Sequence, residues 1–143
     1  MKLSDTQKQD LLKLARDAIS SRFEHTEPSL PNDPAFKEKR GVFVSLHSFG
    51  NLRGCIGYIK GYAPILQSVV EMARSAAFQD PRFPPLTRSE FKDVLIEISI
   101  LSEMIPIDEA EEVEIGRDGL YLVHPQGSGL LLPQVPVEWK WSL

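Results

Sequence analysis

The only cysteine of the chain, Cys55, lies within the hexapeptide Leu52-Arg53-Gly54-Cys55-Ile56-Gly57. A cysteine sulfur acts as a nucleophile or a metal ligand only in its thiolate form. Arg53 could stabilise that thiolate or bind an anionic substrate, because a guanidinium is always charged. Gly54 and Gly57 predict a bulge or the close approach of another group, since glycine inside a strand is otherwise costly. The alternative is that Cys55 is a small buried hydrophobe without chemistry.

A second motif, Asp80-Pro81-Arg82-Phe83-Pro84-Pro85-Leu86, forms a stiff loop, because each proline fixes its own backbone. The loop would hold Asp80 and Arg82 in fixed positions. The simpler interpretation is that this pair braces the loop. The functional interpretation is that Arg53, Arg74 and Arg82 converge on an anionic ligand.

The histidines His25, His47 and His124 are the available bases for a cysteine nucleophile. His124 ends a predicted strand and could approach from elsewhere. The chain has no Cys and His set with the spacing of a zinc site. It also has no glycine-rich loop with phosphate-binding spacing. The sequence therefore predicts no metal site and no cofactor.

Two strands must position the thiol, and they are predicted at Val42 to Ser48 and Leu52 to Ile59. The dipeptide Gly50-Asn51 predicts a two-residue hairpin turn between them. That turn places Leu46 opposite Cys55. One face would then carry Val42, Val44, Leu46, Arg53, Cys55 and Gly57, and the other Phe43, Ser45, His47, Gly54, Ile56 and Tyr58. His47 would face away from the thiol unless a bulge shifts the register.

The other elements follow from capping boxes and from hydrophobic periodicity. The pattern predicts helices from Asp5 to Arg22, from Pro64 to Ala77 and from Arg88 to Lys92. It predicts further strands from Val94 to Leu101, Leu120 to His124 and Leu130 to Leu132, the last two joined by Pro125 to Gly129. The fold class is α+β, a mostly antiparallel sheet with flanking helices in a single domain, residues 1–143.

The net charge of the chain limits the kinds of partner that are expected. The net charge is −4, so non-specific binding to nucleic acid or to an anionic membrane is not expected. Residues 1–92 hold 14 Lys and Arg against 10 Asp and Glu, whereas residues 93–143 hold 2 against 10. The acidic run, from Glu103 to Asp118, is predicted to be a solvated surface. The absence of an apolar span or leader and the single cysteine predict a cytoplasmic protein.

Several segments together resemble the AMMECR-one domain family. They are Gly41-Val42-Phe43-Val44, the cysteine hexapeptide, the Asp80–Leu86 motif, Ile96 to Ser102, Gly119-Leu120 and Leu132-Pro133-Gln134-Val135, in the family's order and spacing. The resemblance spans about residues 10 to 141 and includes the highly specific hexapeptide. It implies an α+β fold with a larger and a smaller lobe around a cleft, and a candidate site at or near the hexapeptide. It implies no settled reaction.

The resemblance also implies partners and a length. In prokaryotes such domains belong to the AmmeMemoRadiSam grouping, beside a Memo-type protein similar to metal-dependent dioxygenases and a radical-SAM protein. Members usually continue beyond the Leu-Pro-Gln-Val segment with a C-terminal helical segment, which this chain is expected to lack. The large apolar residues near the end of the chain are then expected either to fold back onto the core or to be covered by further chain; they are Trp139, Trp141 and Leu143.

Two functional hypotheses follow. In the first, Cys55 is the reactive group, Arg53 holds an anionic substrate or activates the thiol, and glycine N–H groups bind developing negative charge. In the second, the domain is a partner-binding adaptor in which Cys55 is packed inside and the acidic half docks a basic surface. The candidate residues are Cys55 and Arg53 for catalysis, and Gly54, Ile56, Gly57, Asp80, Arg82 and Phe83 for ligand binding.

Overall fold

The computed structural model describes residues 2–138, without the side chains of Pro136 and Glu138. The expectation for Trp139, Trp141 and Leu143 therefore falls outside the described residues. In chain order, the elements are α1 Asp5–Glu24, β1 Val42–Ser48, β2 Asn51–Tyr58, α2 Ile65–Phe78, α3 Arg88–Phe91, β3 Val94–Ile100, β4 Leu120–His124, β5 Gly127–Leu131 and α4 Gln134–Glu138. These elements confirm the α+β class. None of the described helices has the length and apolar character to cross a bilayer.

The predicted helix starts are confirmed by their capping geometry. Ser4 Oγ accepts the Gln7 backbone N–H at 3.1 Å, and Gln7 Oε1 accepts the Ser4 N–H at 2.9 Å, so α1 begins with two of its free donors satisfied. Thr87 and Glu90 make the same reciprocal pair at the start of α3. Helix α2 ends at Phe78, shortly before Asp80-Pro81, because proline cannot continue the helical hydrogen bonds.

The chain divides into two units, Met1–Glu103 and Met104–Leu143. The first contains an antiparallel sheet in the order β2-β1-β3. Helix α2 packs against β1 and β2, and α1 packs against α2 and β3. The helices and the sheet enclose a core whose largest fully buried side chains include Phe36, Leu14, Ile19, Leu46 and Ile65. Burying side chains of this kind contributes about 1.5 to 3 kcal/mol each, so this core supplies the main stabilisation of the unit.

The turn between β1 and β2 lies one residue earlier than predicted. Ser48 pairs with Asn51, so the two-residue turn is Phe49-Gly50, and both residues have positive φ, 51° and 83°. A two-residue hairpin turn of this type requires positive φ at both positions, which glycine adopts freely and phenylalanine rarely does. The prediction of Gly50-Asn51 was wrong because the strained position is taken by Phe49.

A β-bulge then shifts the register a second time. Leu46 pairs with Gly54 whereas His47 pairs with Leu52, which leaves Arg53 as the extra residue on β2. Cys55 therefore lies opposite Ser45, and the prediction that it lies opposite Leu46 was wrong.

Because side chains alternate along a strand, this shift of one residue moves the β2 side chains to the face opposite the predicted one, whereas the β1 side chains keep their predicted grouping. The face toward the helices carries Val42, Val44, Leu46, Gly54, Ile56 and Tyr58, and the other face carries Phe43, Ser45, His47, Cys55 and Gly57. The predicted strand β3 keeps its faces, since Val94 is buried and Ile96, Ile98 and Ile100 pack against the core.

The second unit contains the antiparallel hairpin of β4 and β5. Strand β4 has the predicted bounds. Strand β5 begins earlier than predicted, because His124 pairs with Gly127 across a tight turn at Pro125-Gln126 rather than a longer loop. His124 is engaged at this turn, where its Nδ1 accepts the Gln126 backbone N–H at 3.1 Å.

Candidate functional site

The glycine before the cysteine is explained by helix packing. A Cβ built on Gly54 would overlap the carbonyl oxygen of Ala76 in α2. The close approach predicted from this glycine is therefore made by the backbone of α2. At Gly57, a Cβ would overlap the ring of Phe43 from the neighbouring strand. Both glycines let β2 lie tightly against groups of the same unit.

Arg53 points from the bulge toward the loop and α3. Its Nε and Nη2 donate to the two carboxylate oxygens of Glu90 at 2.9 and 3.2 Å, and its Nη2 also donates to the Pro84 carbonyl at 2.8 Å. The hydrogen bond from Arg53 lowers the pKa of Glu90 to about 2. Nη1 of Arg53 is buried and has no hydrogen-bond partner among residues 2–138. Arg53 is thus committed to holding α3 and the proline loop against β2.

Asp80 and Arg82 clamp the backbone of Cys55. Asp80 Oδ2 accepts the Cys55 N–H at 3.0 Å, and Arg82 Nη2 donates to the Cys55 carbonyl at 3.2 Å. The two side chains also form a forked ion pair, with Arg82 Nε at 3.0 Å from Oδ1 and Nη2 at 2.7 Å from Oδ2. The hydrogen bond from Arg82 holds the pKa of Asp80 well below its usual range. Asp80 and Arg82 therefore brace the loop, and the brace acts on the cysteine strand.

The Cys55 side chain is half-buried on the sheet face away from the helices. Ser45 Oγ donates a hydrogen bond to its sulfur at 3.2 Å. Arg82 is held at the same strand position, because its Nη2 donates to the Cys55 carbonyl. The Arg82 side chain is 55% exposed, and its Nη1 has no hydrogen bond to any described residue. The Ser45 hydroxyl thus contacts the thiol, and a fixed guanidinium contacts the backbone carbonyl of the same cysteine.

Phe83 joins the two arginines. Its ring centroid lies 5.8 Å from the guanidinium carbon of Arg53 and 5.5 Å from that of Arg82. Such contacts between a cation and a ring stabilise by about 0.5 to 1 kcal/mol at exposed sites. Phe83 therefore helps to fix the orientation of Arg82 at the Cys55 carbonyl.

The structure brings together some predicted residues and separates others. Arg74 does not converge with the other arginines, because it donates to Ala18 O at 3.1 Å and to Ser21 Oγ at 2.9 Å at the end of α1. Ile56 packs against the core on the helix side of the sheet. His47 shares the face of Cys55, so the prediction that it faces away was wrong. The bulge at Arg53 shifts the register and brings the two residues to one face.

Two residues of this cluster were missed. The register error placed Cys55 on the face opposite Ser45, and a correct register would have put the two residues opposite each other. Glu90 was recognised only as a capping residue, and nothing in the sequence signals that its carboxylate also receives Arg53.

Other possible sites lie apart from this cluster. Among residues 2–138, no group of three or more His, Cys, Asp or Glu side chains could hold a metal ion. A mostly apolar cavity of about 250 Å³ lies between α1 and β3 and is lined by Leu3, Lys8, Leu11, Leu12, Ile96, Glu97, Ile98 and Ile100. It includes no residue of the cysteine hexapeptide or of the Asp80–Leu86 motif.

Comparisons with known proteins agree on one group of relatives. A family model described as AMMECR1 matches residues 12–143. A protein of Methanothermobacter thermautotrophicus is 42% identical, covering 98% of this chain and 78% of the relative. A protein of Methanocaldococcus jannaschii is 46% identical over 76% of this chain and 58% of its own length. The crystal structure of an uncharacterized protein from Pyrococcus horikoshii matches with a TM-score of 0.90 and 37% identity, covering 99% of this chain and 76% of that one.

Proposed function

The chain belongs to the AMMECR1 family, and we propose that its first unit binds an anionic small molecule beside the Cys55 thiol, with that thiol as the reactive group. The observation that carries the proposal is the guanidinium of Arg82, which is fixed at the Cys55 backbone although the side chain is 55% exposed and its Nη1 has no hydrogen-bond partner among the described residues. A fixed guanidinium at the cysteine backbone favours an anionic ligand.

The proposal moves the anion-binding role from Arg53 to Arg82. Arg53 has two nitrogens bound to Glu90 and the Pro84 carbonyl, and its third is enclosed. The Cys55 N–H is occupied by Asp80, so this donor does not serve a developing negative charge. Arg53, Asp80 and Phe83 then hold the site in shape, and Arg82 and Cys55 meet the ligand.

The test compares two alkylating reagents that are similar in size but differ in charge. Iodoacetate carries a negative charge and iodoacetamide is neutral. The reference is a cysteine whose amino and carboxyl groups are blocked and therefore uncharged. Relative to it, Cys55 is expected to favour iodoacetate by about fivefold, because two opposite unit charges about 4 Å apart attract each other by about 1 kcal/mol even in a water-like dielectric. The ratio of the two second-order rate constants is measured by mass spectrometry on the folded protein.

Arg82→Gln is expected to remove the preference for iodoacetate. Arg88→Gln is the matched control, because Arg88 is also exposed but pairs with Glu24. A ratio equal to that of the blocked cysteine in the unchanged protein would contradict anion binding at this site. A Cys55 that reacts with neither reagent until the protein unfolds would contradict the reactive thiol.

A second candidate, the adaptor, is favoured by the tip of the β1–β2 hairpin. Phe49 is 83% exposed and held at a φ that phenylalanine rarely adopts. Leu52 and Leu95, which flank His47 on its two neighbouring strands, are exposed as well. These residues would dock a Memo-type or radical-SAM protein, the partners that the family resemblance suggests.

This candidate is tested with purified partners from the source organism. Phe49→Ser is expected to weaken binding at least about thirtyfold, the effect of removing an aromatic anchor. Tyr62→Ser is the control, since Tyr62 is 68% exposed outside the hairpin tip. Sedimentation velocity measures the complex, and equal affinity of both variants and the unchanged protein would rule out this surface.

A further inference from the structure

We infer that Ser45 is a positioning residue for the Cys55 sulfur and that its hydroxyl favours the thiolate; the inference rests on the reactive thiol proposed above. Ser45 lies on the central strand β1 and is only 6% exposed. Its Oγ donates to Cys55 Sγ at 3.2 Å. No other hydrogen bond of this hydroxyl is seen among residues 2–138.

The strand ladder makes this contact a consequence of the register. The Cys55 N–H and carbonyl point outward to Asp80 and Arg82, away from β1. Ser45 and Cys55 are therefore a pair that exchanges no backbone hydrogen bonds, the arrangement in which opposite side chains lie closest in an antiparallel sheet. The bulge at Arg53 sets this pairing, because without it Cys55 would lie opposite Val44.

The chemistry of the pair favours one protonation state. A hydroxyl has a single proton to donate, and a neutral sulfur is a weak acceptor. A thiolate accepts the same hydrogen bond much more strongly, as charged partners do. A buried hydroxyl with sulfur as its acceptor is therefore better satisfied when the sulfur is negatively charged, and it also fixes where the sulfur points.

Other titratable groups lie near the pair and must be held constant in a test. They are Asp80 and Arg82 from the loop, His47 two residues along β1, and Glu97, which lies opposite Ser45 on β3. None of them is altered by a change confined to the hydroxyl of Ser45.

The experiment measures the rate of alkylation by neutral iodoacetamide against pH. In this reaction the sulfur forms a bond to carbon, iodide leaves, and the thiol proton has gone to solvent. Ser45→Thr keeps the hydroxyl, and Ser45→Val has the shape of threonine without the hydroxyl. We expect the midpoint of the pH profile to move upward by about one to two pH units in Ser45→Val, and to stay near that of the unchanged protein in Ser45→Thr.

Circular dichroism checks that each variant is folded, and Ser45→Ala serves as a second variant without the hydroxyl. Profiles of Ser45→Val and Ser45→Ala that overlay that of the unchanged protein would overturn the role of Ser45 and leave the reactive thiol standing. The same holds if Ser45→Thr shifts as far as Ser45→Val. A thiol inert in the folded, unchanged protein would instead overturn the proposed function itself.

Discussion

Replacing Gly54 with alanine is expected to lower the free energy of unfolding by about 3 kcal/mol, one of the two largest effects predicted for this protein. The added methyl group would overlap the Ala76 carbonyl oxygen of α2. That oxygen belongs to a helix backbone, so it cannot rotate away as a side chain would. Either α2 shifts from the sheet or β2 loses its pairing with β1. Urea denaturation followed by circular dichroism measures the loss.

Gly129→Ala is the matched control for this change. Gly129 also lies in a strand, and a Cβ there would have no neighbour within 4 Å. The control is expected to change the free energy of unfolding by less than about 0.5 kcal/mol. Equal effects at Gly54 and Gly129 would mean that α2 does not pack on the cysteine strand as described.

Asp80→Ala is expected to cost about 3 to 4 kcal/mol, because it leaves several donors around a buried position without an acceptor. The Asp80 side chain is 2% exposed and accepts from the Cys55 backbone, the Arg82 backbone and the Arg82 guanidinium. The change also frees Arg82, so the preference of Cys55 for iodoacetate should fall. Arg82→Ala is the comparison that keeps the acceptor for Cys55 and should cost less, since Arg82 is half-exposed.

The clamp also predicts a dependence of stability on pH. The pKa of Asp80 in the folded protein lies below its ordinary value of 3.8, mainly because of the hydrogen bond from Arg82. The stabilisation is therefore fully present above about pH 4 and is lost as the pH falls through the lower, folded-state pKa. Chemical denaturation at a series of pH values should show this loss in the unchanged protein. The Asp80→Ala variant should show a smaller loss, and equal slopes would contradict the assignment.

The sequence predicted the elements far better than their pairing. Helix starts at Ser4 and Thr87 and strand β1 depend on local hydrogen bonds and on periodicity, which short stretches of sequence carry. The hairpin register depends on which residues take positive φ. Phe49 gives no warning that it does so, and Gly50 fits either turn.

The site shows the same division. The loop from Asp80 to Phe83 was singled out because prolines and paired charges are visible in sequence. The contact of Asp80 with the Cys55 backbone joins residues far apart in the chain and could not be predicted. Ser45 and Glu90 were missed because a register and a side-chain direction in three dimensions decide their roles.

The clamp of Asp80 and Arg82 has a consequence for self-association. Within the part of the chain that the structure describes, strand β2 is an edge of its sheet, and an edge strand presents unpaired backbone groups that can recruit a strand from another molecule. At Cys55 both of these groups are already taken by side chains of the same chain. A strand from another molecule therefore cannot form these hydrogen bonds at the middle of the edge. The loop thus protects the edge around the thiol from strand pairing that leads to aggregation.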